Sequence, residues 1–149
     1  MANRVYRGPV SRQPETVSDK TVAGAYLPCT FVTEGATTLT QATAFGPNLR
    51  LLANRDFYST AWNDATDPLA TAYASGETGV AFKLELGQTY QGAVAAATYA
   101  WGQELTVGAA GRLVAATTGN VVVAFARSAG AKAAGALIDF EVANHYAKA

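Results

Sequence analysis

The sequence predicts an all-β fold, a small β-sandwich or β-barrel, with an extended N-terminal arm. Short apolar segments rich in β-branched and aromatic residues recur along residues 21–149, and turn-forming residues separate them roughly every 8–12 positions. Residues 1–20 have no apolar periodicity. The 149 residues are the size of one domain, so we expect a single β domain over residues 21–149.

The arm, residues 1–20, is set apart by its charge and its prolines. Its charged residues are Arg4, Arg7, Arg12, Glu15, Asp19 and Lys20. Pro9 and Pro14 remove backbone donors and bias the preceding residues toward extended geometry. The arm is therefore predicted to be mobile alone and ordered only against a partner, and the alternative is a disordered tail without a function.

Strand patterns begin at residue 21. Strands are predicted at residues 21–26, 29–33, 37–43 and 49–53, with the third at an edge or exposed. Residues 54–76 are the least regular segment and contain Phe57, Tyr58, Trp62 and Tyr73. A loop this long in a compact domain is uncommon and often functional, which predicts a contact loop. Alternatively, its aromatic side chains pack back onto the core.

The second half contains the clearest alternation. Val80, Phe82, Leu84 and Leu86 are predicted on the buried face of one strand, with Lys83 and Glu85 on the other face. Further strands are predicted at residues 103–107, 112–116, 121–126 and 136–142. Residues 91–99 are assigned to a strand or an irregular segment, with a short helix as the alternative because alanine favours helix. Residues 130–135 are predicted to form a loop.

Composition disfavours several classes of partner. The net charge is zero, whereas a general nucleic-acid binder needs a basic face. No segment has the roughly 20 apolar residues of a membrane span, and the N-terminus lacks the apolar core of a signal peptide. Charged residues make up 15% of the chain, against about 25% in typical soluble domains. This bias favours a surface covered by neighbouring subunits, although a monomer rich in small residues explains it equally well.

The residues that carry chemistry are few. His145 is the one histidine and Cys29 the one cysteine, and Cys29 lies in an apolar stretch that predicts a buried structural thiol. A metal centre needs several such ligands, and a serine nucleophile needs a histidine base. Asp64 and Asp67 beside Trp62 are the best candidate for a carboxylate pair, but aspartates next to proline more often form turns. We therefore predict no enzyme activity, no cofactor and no metal.

A series of glycine turns and short strands runs through the second half. Residues 73–80 contain an acidic residue and glycines typical of a turn, and they lead into the strand at 82–86. Residues 96–107 begin with small residues and continue with a glycine, a polar residue, an acidic residue and apolar residues. A glycine turn at 108–111 and a strand at 121–126 follow. This order resembles that of bacteriophage capsid decoration, or cement, proteins, and residues 21–32 are similar to their opening strands. The resemblance covers roughly residues 21–144, whereas the basic arm and the loop at 54–76 depart from it.

The resemblance implies a function in the virion. A member of this family attaches to the outer face of the phage head after synthesis in the host cytoplasm and bridges neighbouring capsid subunits. The implied partners are the major capsid protein and further copies of the chain, as a trimer or dimer, with no nucleic acid and no membrane. Arginine and tyrosine often carry interface energy, so the predicted contacts are Arg4, Tyr6, Arg7, Pro9 and Arg12 in the arm and Phe57 and Trp62 in the loop.

Two other functions remain open. A carbohydrate- or receptor-binding module would use Trp62, Tyr58 and the turn at Asp64 and Asp67 to stack on sugar rings. A neck or tail component of the same kind of particle is the other. Trp101 is a further candidate anchor if it is exposed and a core residue if it is buried.

Overall fold

The computed structural model describes residues 5–54 and 67–149. Their regular structure consists of twelve strands and one 3-10 turn, which confirms the all-β prediction. The strands are β1 (Thr16–Val22), β2 (Phe31–Glu34), β3 (Thr38–Gln41), β4 (Leu49–Leu52), β5 (Thr78–Lys83), β6 (Thr89–Ala93), β7 (Ala97–Tyr99), β8 (Glu104–Val107), β9 (Leu113–Ala115), β10 (Val121–Ala126), β11 (Gly130–Lys132) and β12 (Leu137–Ala147). The 3-10 turn spans Ala109–Gly111.

The first five strands form a closed barrel in the order β1-β3-β2-β4-β5. The barrel closes because β1 pairs with β3 in parallel and with β5 in antiparallel register. β2 lies between β3 and β4, antiparallel to both. Closure removes the free edges that an open five-stranded sheet would leave.

The remaining strands form two further sheets. The larger is antiparallel, in the order β6-β12-β10-β8-β9. The smaller is a ribbon of β7 and β11, which pair in antiparallel register. β11 lies within residues 130–135, so the loop predicted there is wrong for its first three residues. The segment has no β-branched side chain to indicate a strand.

Three of the barrel strands, β2, β4 and β5, bury side chains on both of their faces. Leu52 and Ala81 belong to a cluster inside the barrel, together with Val22, Val32, Leu39 and Tyr73. Their neighbours Leu51 and Phe82 belong to a larger cluster shared with the five-stranded sheet, which contributes Tyr90 and Phe140. Successive residues of a strand point to opposite faces, so the larger core lies between barrel and sheet.

The strand predicted at residues 80–86 differs from β5 because of this burial on both faces. β5 ends at Lys83, and it buries both Ala81 and Phe82 instead of one alternating face. Leu86, predicted on the buried face, lies beyond the strand and is 64% exposed. The one-sided alternation is therefore wrong at this strand, because a barrel strand packed against a second sheet has no fully solvated face.

Much of the segment predicted as an arm lies within the domain. Residues 16–20 belong to β1. Val5 and Tyr6 are buried, and the Arg7 N–H donates to the Thr89 carbonyl at 2.9 Å while the Gln91 N–H donates to the Val5 carbonyl at 2.6 Å. Residues 5–7 thus extend the β6 edge of the five-stranded sheet. Arg4 lies outside the described residues.

Gly111 makes a close contact between the sheet and the barrel. Its N–H donates to the Ala42 carbonyl at 2.7 Å. A Cβ at Gly111 would lie 2.4 Å from the Phe31 carbonyl oxygen, and the residue has a φ of +61°. A glycine is required here on both counts, because any side chain would collide with barrel backbone in a left-handed conformation.

Candidate interaction surface

Trp101 occupies the tight turn between β7 and β8. The Ala100 N–H donates to Gln103 Oε1 at 2.9 Å, and the Gln103 N–H donates to the Ala100 carbonyl at 3.1 Å. Gly102 supplies the positive φ of +76° that the turn requires. The indole of Trp101 is 65% exposed. Trp101 is therefore exposed, so it stays a candidate anchor for a binding partner.

Arg127 holds the indole from one side. Its guanidinium carbon lies 5.3 Å from the centre of the Trp101 ring. The same guanidinium is ion-paired with Glu141 on β12, and its Nε donates to Glu141 Oε2 at 3.1 Å. The ion pair fixes the cation beside the ring, so the tryptophan is presented on an ordered support.

The outer face of the five-stranded sheet continues from this pair. Phe125 on β10 lies opposite Glu104 on β8 and Glu141 on β12. Its ring centre is 6.4 Å from that of Tyr146, whose hydroxyl donates to Glu104 Oε1 at 2.6 Å. We call Trp101, Phe125, Arg127 and Tyr146, with Glu104 and Glu141, the Trp101 surface.

Hydrogen bonds also set the protonation of this face. Lys148 Nζ lies 2.7 Å from Glu104 Oε2. Hydrogen bonds from Lys148 and then from Tyr146 hold the pKa of Glu104 below its usual value. The same bond to Glu104 raises the pKa of Tyr146. Glu104 is therefore ionised at neutral pH and orients both partners.

Arg7 reaches the same face from the N-terminal segment. Its Nε donates to Asp139 Oδ1 at 2.8 Å. Asp139 and Glu141 are two residues apart on β12, so both side chains lie on one side of the sheet. The structure thus brings one predicted contact residue, Arg7, to the face that carries Arg127 and Trp101.

The other predicted arm contacts divide between surface and core. Pro9 and Arg12 are exposed on a turn in which the Arg12 N–H donates to the Pro9 carbonyl at 3.1 Å. Between them Val10 is 62% exposed. Tyr6, in contrast, packs against Tyr90 with ring centres 5.4 Å apart, and its hydroxyl donates to Gln88 Oε1 at 3.0 Å.

The predicted contact loop lies mostly outside the described residues. Phe57 and Trp62 belong to that part of the chain, as do Tyr58 and Asp64 of the alternative sugar-binding site. Asp67 is described, and its Oδ1 accepts the Leu69 N–H at 3.0 Å, as expected of a turn-forming aspartate.

His145 and Cys29 lie in different environments. His145 packs edge-on against Phe45 with ring centres 5.1 Å apart, and partial burial lowers its pKa. Cys29 is fully buried, as predicted, and burial raises the pKa of its thiol to about 12. Among the described residues, no three His, Cys, Asp or Glu side chains are grouped to hold a metal ion. Within that same part of the chain, no helix is long and apolar enough to cross a membrane.

Phe125, Arg127 and Tyr146 were not predicted as surface residues. The run at 121–126 is apolar enough to indicate burial on both faces, whereas Phe125 is only half-buried. Arg127 and Glu141 are 14 residues apart and meet through strand pairing. The one sequence signal is the alternation of Asp139 and Glu141 with apolar residues, which marks the outward face of β12.

Comparison with known proteins supports the fold. No family model matches the sequence, and no curated protein matches it. A solved structure, the N base of head fiber gp8.5 from bacteriophage phi29, is similar with a TM-score of 0.53 and 15% sequence identity. The match covers 91% of this chain and 100% of that chain. At this identity the likeness concerns the fold.

Proposed function

We propose that this protein is a structural component of a bacteriophage head that binds the outer surface of the capsid and stabilises it by bridging neighbouring capsid subunits. The observation that carries the proposal is the fold likeness to a phage head fiber base over 91% of the chain. Fold alone does not fix function, so the proposal also needs a surface suited to binding protein.

The Trp101 surface is suited to that purpose. Trp, Tyr and Arg are the residue types that most often dominate the energy of protein interfaces. Covering the exposed part of an indole removes on the order of 100 Å² of mostly apolar surface from water, equivalent to about 3 kcal/mol before the costs of association. The ion pairs around the indole give the surface the polar rim that interfaces usually have.

Bridging requires a second contact on the same molecule. The turn at residues 9–12, with Val10 and Arg12 exposed, is the candidate for that contact. Two separate contacts would let one copy join two capsid subunits. Each contact need be only modest, because attachment at one site raises the effective concentration at the other.

The fold likeness also favours a second candidate, the capsid-bound base of a head fibre. In that function the capsid contacts one surface and fibre protein the other. Decoration and fibre attachment differ in the number of copies that a head carries, so stoichiometry separates them.

The test is co-sedimentation of the purified protein with expanded, undecorated heads of its source virus, measured as copies per particle at saturation. Saturation at hundreds of copies is expected for a decoration protein. Saturation at a small number of sites would support the fibre base or a neck or tail component. Absence of binding at micromolar protein would overturn the proposed head function.

A further inference from the structure

An open cleft of about 280 Å³ lies where the barrel meets the five-stranded sheet. The barrel side contributes Leu27, Pro28 and Leu69, and the sheet side contributes Ala93, Arg112 and Leu137. Leu27 lies between β1 and β2 and is 42% exposed, a high value for a large apolar side chain beside a cleft. The cleft therefore combines an apolar lining with one cation.

Arg112 differs from three other arginines of the described residues. Arg7, Arg50 and Arg127 each have a carboxylate partner. Within residues 5–54 and 67–149, the guanidinium of Arg112 makes no ion pair or hydrogen bond. Its backbone is fixed in the turn before β9, because its N–H donates to the Ala109 carbonyl at 3.3 Å and its carbonyl accepts the Gly108 N–H at 2.8 Å.

Arg112 is half-buried, and its guanidinium lies beside Gly135. A Cβ at Gly135 would lie 3.8 Å from Arg112 Nη2, in ordinary van der Waals contact. A guanidinium without a partner among the described residues has its planar set of donors available for a carboxylate, which it binds in bidentate geometry.

The size and charge of the cleft define its ligand. Its volume lies just below the roughly 300–1,000 Å³ range of small-molecule pockets and suits one or two amino-acid side chains. Asp67 also lines the cleft, and its negative charge disfavours a carboxylate close to it. A bound acidic group is thus directed toward Arg112 and an apolar group toward the leucines.

We propose that this cleft is a docking site for an extended segment of a partner protein that presents an aliphatic side chain next to a carboxylate. The carboxylate pairs with Arg112, and the aliphatic side chain packs between Leu27 and Leu137. The inference does not depend on the Trp101 surface or on the proposed function, since it concerns a different site. That site is a concave cleft whose cation, Arg112, has no partner among the described residues.

The test is an NMR titration of the labelled full chain with two peptides that differ in one charge. The probes are acetyl-Leu-Asp-amide and acetyl-Leu-Asn-amide. The aspartate peptide is expected to shift the Arg112 Nε–H resonance and the methyl groups of Leu27 and Leu137. The asparagine peptide is expected to bind about five-fold more weakly, because it lacks the charge-assisted bond.

Two variants and a control complete the experiment. Arg112→Gln is expected to reduce the affinity for the aspartate peptide to that for the asparagine peptide. Lys132→Gln, which removes another cation without an ion-pair partner in the described residues, is expected to leave both affinities unchanged. If Arg112→Gln does not fold, Leu27→Asp tests the same site, because the new carboxylate should lower the affinity for the aspartate peptide more than that for the asparagine peptide.

Three outcomes would overturn the proposal. The first is equal affinity for the two peptides, and the second is a set of shifted resonances away from the cleft. The third is a shift of the cleft resonances with protein concentration alone, which would identify a second copy of this chain as the occupant. Because the titration contains no phage heads, its result is independent of the co-sedimentation experiment.

Discussion

The guanidinium of Arg127 lies 5.3 Å from the centre of the Trp101 ring while it is ion-paired with Glu141. At an exposed site such a cation–π contact contributes about 0.5–1 kcal/mol. It also limits the rotamers of both side chains before any partner binds. Immobilising a flexible side chain at an interface costs about 0.5–1.5 kcal/mol, so this arrangement reduces the cost of using Trp101 as an anchor.

The first prediction concerns that anchor. We expect Trp101→Ala to weaken binding to undecorated heads by at least about ten-fold, because it removes an exposed indole of the type that dominates interface energy. The fold should persist, since the indole is 65% exposed. The measurement is a co-sedimentation isotherm, with circular dichroism as the check on folding.

The matched control for Trp101 is Leu86→Ala. Leu86 is 64% exposed on the turn between β5 and β6, so its truncation removes a comparably exposed apolar side chain at another place. Its affinity for heads should remain within about two-fold of that of the wild type. Equal losses for the two variants, or no loss for Trp101→Ala, would remove the Trp101 surface from the proposed interface.

The second prediction concerns the N-terminal segment. Tyr6→Ala should lower the free energy of unfolding by about 3 kcal/mol, because it empties a site between Phe82 and Tyr90. Tyr6→Phe should cost about 1 kcal/mol, since it removes only the bond to Gln88. Urea denaturation measures both values, with exposed Arg12→Ala as the neutral control. An unchanged midpoint for Tyr6→Ala would mean that residues 5–7 act as a detached arm.

The third prediction separates backbone strain from close packing at glycine. Gly111 and Gly119 both have positive φ, +61° and +86°. A Cβ at Gly119 meets nothing within 4 Å, whereas one at Gly111 meets Phe31 backbone. Gly119→Ala should therefore cost about 1 kcal/mol of stability and Gly111→Ala at least about 2 kcal/mol more. Similar losses in thermal denaturation would show that barrel and sheet separate readily at this contact.

Local patterns were sufficient to predict most strands and insufficient for β1 and β11. The strands at 49–53, 121–126 and 136–142 contain β-branched or aromatic residues that identify them directly. In β1 the buried residues Val17 and Val22 are separated by a register shift, which destroys the alternation. β11 is a strand because it pairs with β7, since Gly130, Ala131 and Lys132 have no strand preference of their own.

The Trp101 surface was only partly predictable because its contacts depend on how the strands pair. Sequence alone makes Trp101 a candidate anchor if it is exposed and a core residue if it is buried, and Trp101 is exposed. It does not indicate that Arg127 and Glu141 meet beside it, because that depends on the register of β10 and β12. The assignment of Tyr6 to the surface had a different cause. A basic, proline-containing segment has no periodicity, yet Val5 and Tyr6 tie it to the core.

The fourth prediction concerns the reactivity of Cys29. Burial raises the pKa of its thiol from 9.0 to about 12. At pH 8 the thiolate population is then about a thousand-fold lower than in the unfolded chain, and the side chain is inaccessible. Labelling with a disulfide reagent should be slow without denaturant and should accelerate across the urea transition. Rapid stoichiometric labelling of the native protein would place the thiol at the surface.

The last prediction is a loss of stability at alkaline pH. Burial raises the pKa of Cys29 from 9.0 and that of Tyr90 from 10.0, each to about 12. The unfolded chain therefore releases these protons at lower pH than the folded chain. The stabilisation is complete below pH 9.0 and is lost as pH rises toward 12, by up to about 1.4 kcal/mol per pH unit for each group. Urea midpoints measured at increasing pH should show this decline.

Two variants assign the decline to its groups. Cys29→Ala should remove the part that begins near pH 9.0, and Tyr90→Phe should remove the part that begins near pH 10.0. Both variants lose some stability at neutral pH, so the quantity to compare is the slope of the urea midpoint against pH. The Tyr90 hydroxyl donates to the Lys83 carbonyl and accepts the Glu85 N–H, both at 3.2 Å, so ionisation would break the first bond as well as place a charge beneath β5. A slope unchanged in both variants would mean that other groups control alkaline unfolding.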